Sequence, residues 1–147
     1  MKNIHYGKFV ILFVLLLGMT NNVYATSAIT VENAYIKASI PGSSVTAAYM
    51  TITNAGDKSA TLKKITSSIS ARIEIHQHSM ANGMMTMRQV DDITIDAGSH
   101  VVLQPSGLHL MIFAVKQQIT EHDVIPLTLY FSNDTEVNIQ LPVYRYK

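Results

Sequence analysis

Beyond position 25, hydrophobic residues recur at every second position in short runs, and no segment sustains a helical period. Val137, Ile139 and Leu141 alternate with polar neighbours, as do Leu127, Leu129 and Phe131. When extended, each such run has one face for a core and one for water. The runs are rich in β-branched residues, and they predict strands over residues 30–37, 45–53, 60–67, 72–78, 84–90, 100–104, 109–115, 124–131 and 136–143. Pro41-Gly42, Asn54-Ala55-Gly56, Asn82-Gly83, Ala97-Gly98, Pro105-Ser106-Gly107 and Ser132-Asn133-Asp134 separate them with turn chemistry. Many short strands at this spacing predict an all-β sandwich or barrel.

The first 25 residues break the pattern. Lys2 and Lys8 precede an apolar run, FVILFVLLLGM over residues 9–19, which is too short to span a bilayer comfortably. Val23-Tyr24-Ala25 then resembles an A-x-A cleavage site. The expectation is a secretory signal over 1–25 and one domain over 26–147, exported to the periplasm as a soluble product that does not insert in the membrane. The sequence contains no Cys. Lipid attachment after the leader is therefore not expected, and neither is thiol–disulfide exchange by the protein itself. Nine Lys and Arg face ten Asp and Glu after Ala25, a balance that gives no electrostatic argument for nucleic acid or an anionic surface.

Two segments carry unusual chemistry. Asn82-Gly83 is a strong hairpin signal, because both residues tolerate the positive φ of a type I′ turn. A two-residue loop there pairs Ala81 with Met84, Met80 with Met85, His78 with Met87 and His76 with Gln89. His76, His78, Met80, Met85 and Met87 then share one face while Ile73 and Ile75 face a core. On a later strand His109 and Met111 stand two apart, again on one face. Each segment thus offers imidazole and thioether, neutral soft donors suited to Cu(I). A His-x-Met pair alone is weak evidence, and at this point His76 and His78 are both open as the first donor.

The full spacing, His76-x10-Met87-x21-His109-x-Met111, resembles the motif of the periplasmic PCuAC-type copper chaperones. Ala47-Ala48-Tyr49-Met50-Thr51-Ile52, Glu74-Ile75-His76, the stretch from Met84 to Val90, Gly107-Leu108-His109-Leu110-Met111 and Ile125-Pro126-Leu127-Thr128-Leu129 are similar to segments of that family. The resemblance implies a cupredoxin-like Greek-key β-barrel or sandwich. It also implies one Cu(I) held by His76, Met87, His109 and Met111. The implied partners are thiolate-bearing acceptors such as a Sco-type protein or the CuA centre of cytochrome c oxidase, in whose assembly such chaperones serve. Two departures stand out: Gln77 occupies a position often Met in the family, and the His/Met-rich tail of some members has no counterpart before Tyr144-Arg145-Tyr146-Lys147.

The remaining candidates have plainer readings. His100 and His122 read as solvated loop or edge residues, and Asp91, Asp92 and Asp96 as turn residues. Met80, Met84 and Met85 read either as core or as soft donors that receive incoming metal. An electron-transfer cupredoxin needs a Cys thiolate and is excluded. No arrangement of catalytic groups stands out, so a monomeric, non-enzymatic copper carrier is the expectation. A metal-free periplasmic interaction module is the alternative.

Overall fold

The computed structural model describes residues 28–145; the expected leader over 1–25 lies outside them. Ten strands are present: β1 (Ile29–Lys37), β2 (Thr46–Asn54), β3 (Ala60–Thr66), β4 (Arg72–Ala81), β5 (Met84–Val90), β6 (Ile93–Ile95), β7 (Ser99–Leu103), β8 (Leu108–Phe113), β9 (Val124–Phe131) and β10 (Glu136–Tyr144). Among the described residues there is no helix. The strands hydrogen-bond in the order β5-β4-β8-β7-β2-β1-β10-β9-β3-β6, and β8 also pairs with β2. Neighbours in that order are mostly distant in sequence, and the parallel β1–β10 pair brings the two ends of the described chain together at Ile36↔Val143 and Lys37↔Tyr144.

Alternation decides which face is buried. Ile36, Ala48, Met50, Ile52, Leu62, Ile75, Leu110, Ile112, Leu127, Leu129 and Leu141 all point into one core. That cluster draws from strands far apart in the order, so the open sheet folds over itself. β3 comes close to β4, and β6 to β7, without hydrogen-bonded pairing. The result is an all-β sandwich, as the strand pattern implies.

Nine of the ten strands match expectation to within a few residues. The tenth, β6, is three residues long and lies between Asp92 and Asp96, where the sequence predicts no strand. Ile93 and Ile95 are both buried, and they pair with Leu62 and Ala60 at the far edge of the sheet. A run this short carries one alternation, too little to register as a strand. The strand expected over 109–115 ends at Phe113, because Ala114 turns the backbone to φ 48°. In β1 the register shifts between Glu32 and Tyr35, with Asn33 at φ 53°, a bulge that simple alternation does not reveal. Buried Asn54 anchors the end of β2 to these edges. Its amide donates to the carbonyls of Lys58 at 2.8 Å and Ile95 at 3.0 Å, and its oxygen accepts the Gly56 N–H at 3.0 Å.

Candidate metal centre

The β4–β5 hairpin forms in the expected register. Asn82 and Gly83 sit at φ 53° and 76°, and the pairs Ala81↔Met84, Met80↔Met85, His78↔Met87 and His76↔Gln89 follow. On its other edge β4 pairs with β8, which sets His76 directly against His109 and Glu74 against Met111. Leu110 and Ile112 of β8 are fully buried in the core, so the intervening His109, Met111 and Phe113 take the opposite face. The same alternation on β4 sends Ile75 inward and Glu74, His76 and His78 to that outer face. His76 and His109, 33 positions apart in the sequence, thereby stand together with Met111 on one face.

Three imidazoles cluster there. The His109 ring lies 6.1 Å from His76 and 5.0 Å from His78, centroid to centroid. Tyr49 of β2 covers the other side of His109 at 6.4 Å, and Phe113 lies 5.9 Å from His76. His109 is only 3% exposed. Met111 is part-buried, paired through the backbone with Ala47 on β2, and it lines a groove of about 610 Å³ together with Tyr49, Thr46 and Ile119. Met87, 49% exposed, stands opposite His78 rather than His76. The four motif residues therefore share one face, with His76, His109 and Met111 contiguous and Met87 at the hairpin edge.

The hydrogen bonds of the rings select which nitrogens are available. His109 Nδ1–H donates to the Gly107 carbonyl at 3.0 Å, which leaves the Nε2 lone pair free to face a ligand. The same carbonyl accepts the His78 backbone N–H at 3.2 Å, so one turn fixes the ring and ties it to β4. His76 Nε2–H donates to Glu74 at 2.8 Å. Glu74 is held from behind by Arg72 at 3.0 Å, and Arg72 stacks on Phe113 at 4.0 Å. The remaining nitrogen of His76, Nδ1, is buried without a partner, and so is Nδ1 of His78. Buried ring nitrogens without a partner are costly unless something occupies them. Burial pushes the His109 imidazole below its ordinary value of 6.5; the Gly107 bond opposes this, and neighbouring His78 and His76 reinforce it. The ring is thus held neutral, the form that binds a metal.

Among the described residues, no three His, Asp, Glu or Cys side chains are grouped to hold a metal by themselves. The face adds the thioethers of Met87 and Met111 to the imidazoles, a neutral and soft donor set. Glu74, Gly107, Arg72 and Phe113 were not anticipated as site residues. Glu74 and Gly107 each stand two positions before a His, a spacing too common to single them out without the fold. His100, exposed on β7 opposite Thr53, and exposed His122 lie apart from the cluster. The Asp96 carbonyl accepts the Ser99 N–H at 3.1 Å, the turn role expected of it, while Asp92 pairs with Lys63 of β3 at 3.5 Å.

Known proteins share this architecture. Residues 29–143 match the family described as "Putative lipoprotein LpqE-like". The "Putative lipoprotein Lxx21020" of Leifsonia xyli is 32% identical over 116 residues, covering 78% of this chain and 69% of that protein. "Uncharacterized protein RP573" of Rickettsia prowazekii is 30% identical over 98 residues, 66% of this chain and 54% of that one. Among solved structures, the copper-bound PCuAC domain from PmoF2 superposes with a TM-score of 0.70 at 22% identity, covering 84% of this chain and 97% of that domain. The Cu(I) form of DR1885 from Deinococcus radiodurans superposes with a TM-score of 0.67 at 25% identity, covering 85% and 83%. The chain belongs to the LpqE-like family, and its fold is the cupredoxin-like sandwich of the PCuAC domains.

Proposed function

We propose that this chain is a copper carrier of the periplasm, which binds one Cu(I) through His76, Met87, His109 and Met111 and passes it to a thiolate-bearing acceptor. The observation that carries this reading is the cross-strand pair His76↔His109 with Met111 two residues along the same face. Two neutral imidazoles and two thioethers suit Cu(I) in charge, softness and number. The ion is cargo, and the chemistry is ligand exchange rather than catalysis. Neutral donors hold Cu(I) without the charge attraction of thiolates, so a reduced dithiol can draw it away. A Sco-type protein or the CuA domain of cytochrome c oxidase has such donors. PCuAC structures that contain copper support the reading. The leader over 1–25, export and a single monomeric domain complete the proposal.

Titration with Cu(I) against a competing chelator tests it. One tightly bound equivalent is expected, and Met111→Leu or Met87→Leu should weaken it by about 10- to 100-fold while leaving the fold intact, because Leu keeps bulk and removes only sulfur. His109→Ala should weaken it further. No uptake of Cu(I), or equal affinity for Zn(II), contradicts the proposal and favours a metal-free interaction module.

A further inference from the structure

We propose that the tip of the β4–β5 hairpin is a second soft-metal site, formed by Met80, Met85 and His78, that takes up Cu(I) ahead of the inner His76, His109 and Met111 group. This rests on the copper reading of the inner group.

The tip is an odd place for methionine. Met80, Met84 and Met85 are 68%, 67% and 64% exposed, and residues 84–89 of β5 have no buried member. β5 ends the sheet order, and the ladder between β4 and β8 stops at Gln77↔Leu108. Beyond that point the hairpin stands on its own, with no core for these side chains to fill. An exposed sheet edge is ordinarily protected by charge or by short polar residues. Here the other face of the hairpin does carry Gln77, Ser79, Thr86 and Arg88, with the Ser79 and Thr86 hydroxyls 3.0 Å apart. Three of the four hairpin methionines, Met80, Met85 and Met87, thus share one face by register, and Met84 takes the other.

That register makes a rectangle. His78 opposes Met87 and Met80 opposes Met85. Cross-strand neighbours lie about 5 Å apart, and residues two along a strand lie about 6.6 Å apart. The unbranched Met side chain has three rotatable bonds and can close such gaps. One imidazole with two thioethers gives a neutral, three-coordinate set, weaker than the four donors of the inner group. His78 is the link between the two sites. Its ring lies 5.0 Å from His109, and its Nδ1 is buried without a partner. An ion at the tip therefore sits beside the inner site and can move there by exchanging one donor at a time, with Met87 available to both.

The test uses the double variant Met80→Leu/Met85→Leu, with Met84→Leu as control. Leu preserves the apolar tip, so a role in docking a partner protein would survive the change and a role for sulfur would not. The wild-type protein should take a second, weaker Cu(I) equivalent, with sulfur in its X-ray absorption spectrum. The double variant should take one equivalent, with unchanged affinity for it, and should load from a Cu(I) chelate about tenfold more slowly in stopped flow. Met84 belongs to the opposite face, so Met84→Leu should behave as wild type. A double variant that keeps the second equivalent and the loading rate overturns the inference while leaving the inner site standing. Failure of the wild-type protein to bind any Cu(I) overturns both.

Discussion

At the scale of single residues, the site is prepared by hydrogen bonds rather than by the donors alone. Glu74 and the Gly107 carbonyl each take one N–H from a histidine ring and so fix which nitrogen is left. Glu74→Gln keeps the shape of the carboxylate but loses its charge, so it no longer favours one tautomer of His76. We expect Cu(I) affinity to fall by about tenfold with no change in fold, as measured by chelator competition. The buried His109 gives a pH dependence of defined sign. Its proton is bound less tightly in the folded chain than in the unfolded chain, where the value is about 6.5. Its contribution is therefore intact above about 6.5 and is lost as pH falls from there through the lower folded value, because the unfolded chain takes up the proton first. Ring NMR titration should place His109 below 6.5, with the melting temperature dropping across the same window. A ring that titrates above 6.5 would contradict the burial argument.

At the scale of elements, the hairpin and the β4–β8 pair decide which side chains meet. Gly83 at φ 76° has space for a methyl group but not the backbone freedom, since an L-residue there costs about 1–2 kcal/mol. Gly83→Ala should loosen the hairpin and weaken metal binding several-fold. Because residues 84–89 contribute nothing to the core, thermal stability should fall by less than the full strain. The hairpin was legible in the sequence because Asn-Gly fixes loop length, and loop length fixes every pair from Ala81↔Met84 to His76↔Gln89. The meeting of His76 with His109 was not legible from the residues alone. It depends on β8 entering the sheet between β4 and β7, a non-local choice made by the core residues Leu110 and Ile112. The resemblance to copper chaperones supplied that link. The hydrogen-bond partners of the rings stayed hidden for a different reason: a carboxylate or a carbonyl two residues before a His is common, and only the fold shows where it points.

At the scale of the whole molecule, one sandwich separates two tasks across the thickness of a sheet. The inner face of β2, β4 and β8 supplies Ala48, Met50, Ile75, Leu110 and Ile112 to the core, while the outer face supplies the imidazoles, thioethers and Tyr49. Changes at exposed outer-face positions such as Met87 should therefore alter binding and spare stability, and the reverse should hold inside. Asn54→Ala removes one buried and three part-buried hydrogen bonds far from the site, together worth about 3 kcal/mol at the usual scale of about 1 kcal/mol each. It should lower unfolding stability by about 3 kcal/mol in denaturant titration and leave Cu(I) affinity unchanged. The central claim is that two imidazoles and two thioethers from separate strands converge on one ion. X-ray absorption of the protein loaded with a single equivalent of Cu(I) addresses it most directly. The expected spectrum has nitrogen and sulfur in the same shell, two of each, and loses sulfur in Met87→Leu and Met111→Leu. A shell of nitrogen alone, unchanged by either substitution, would contradict the account.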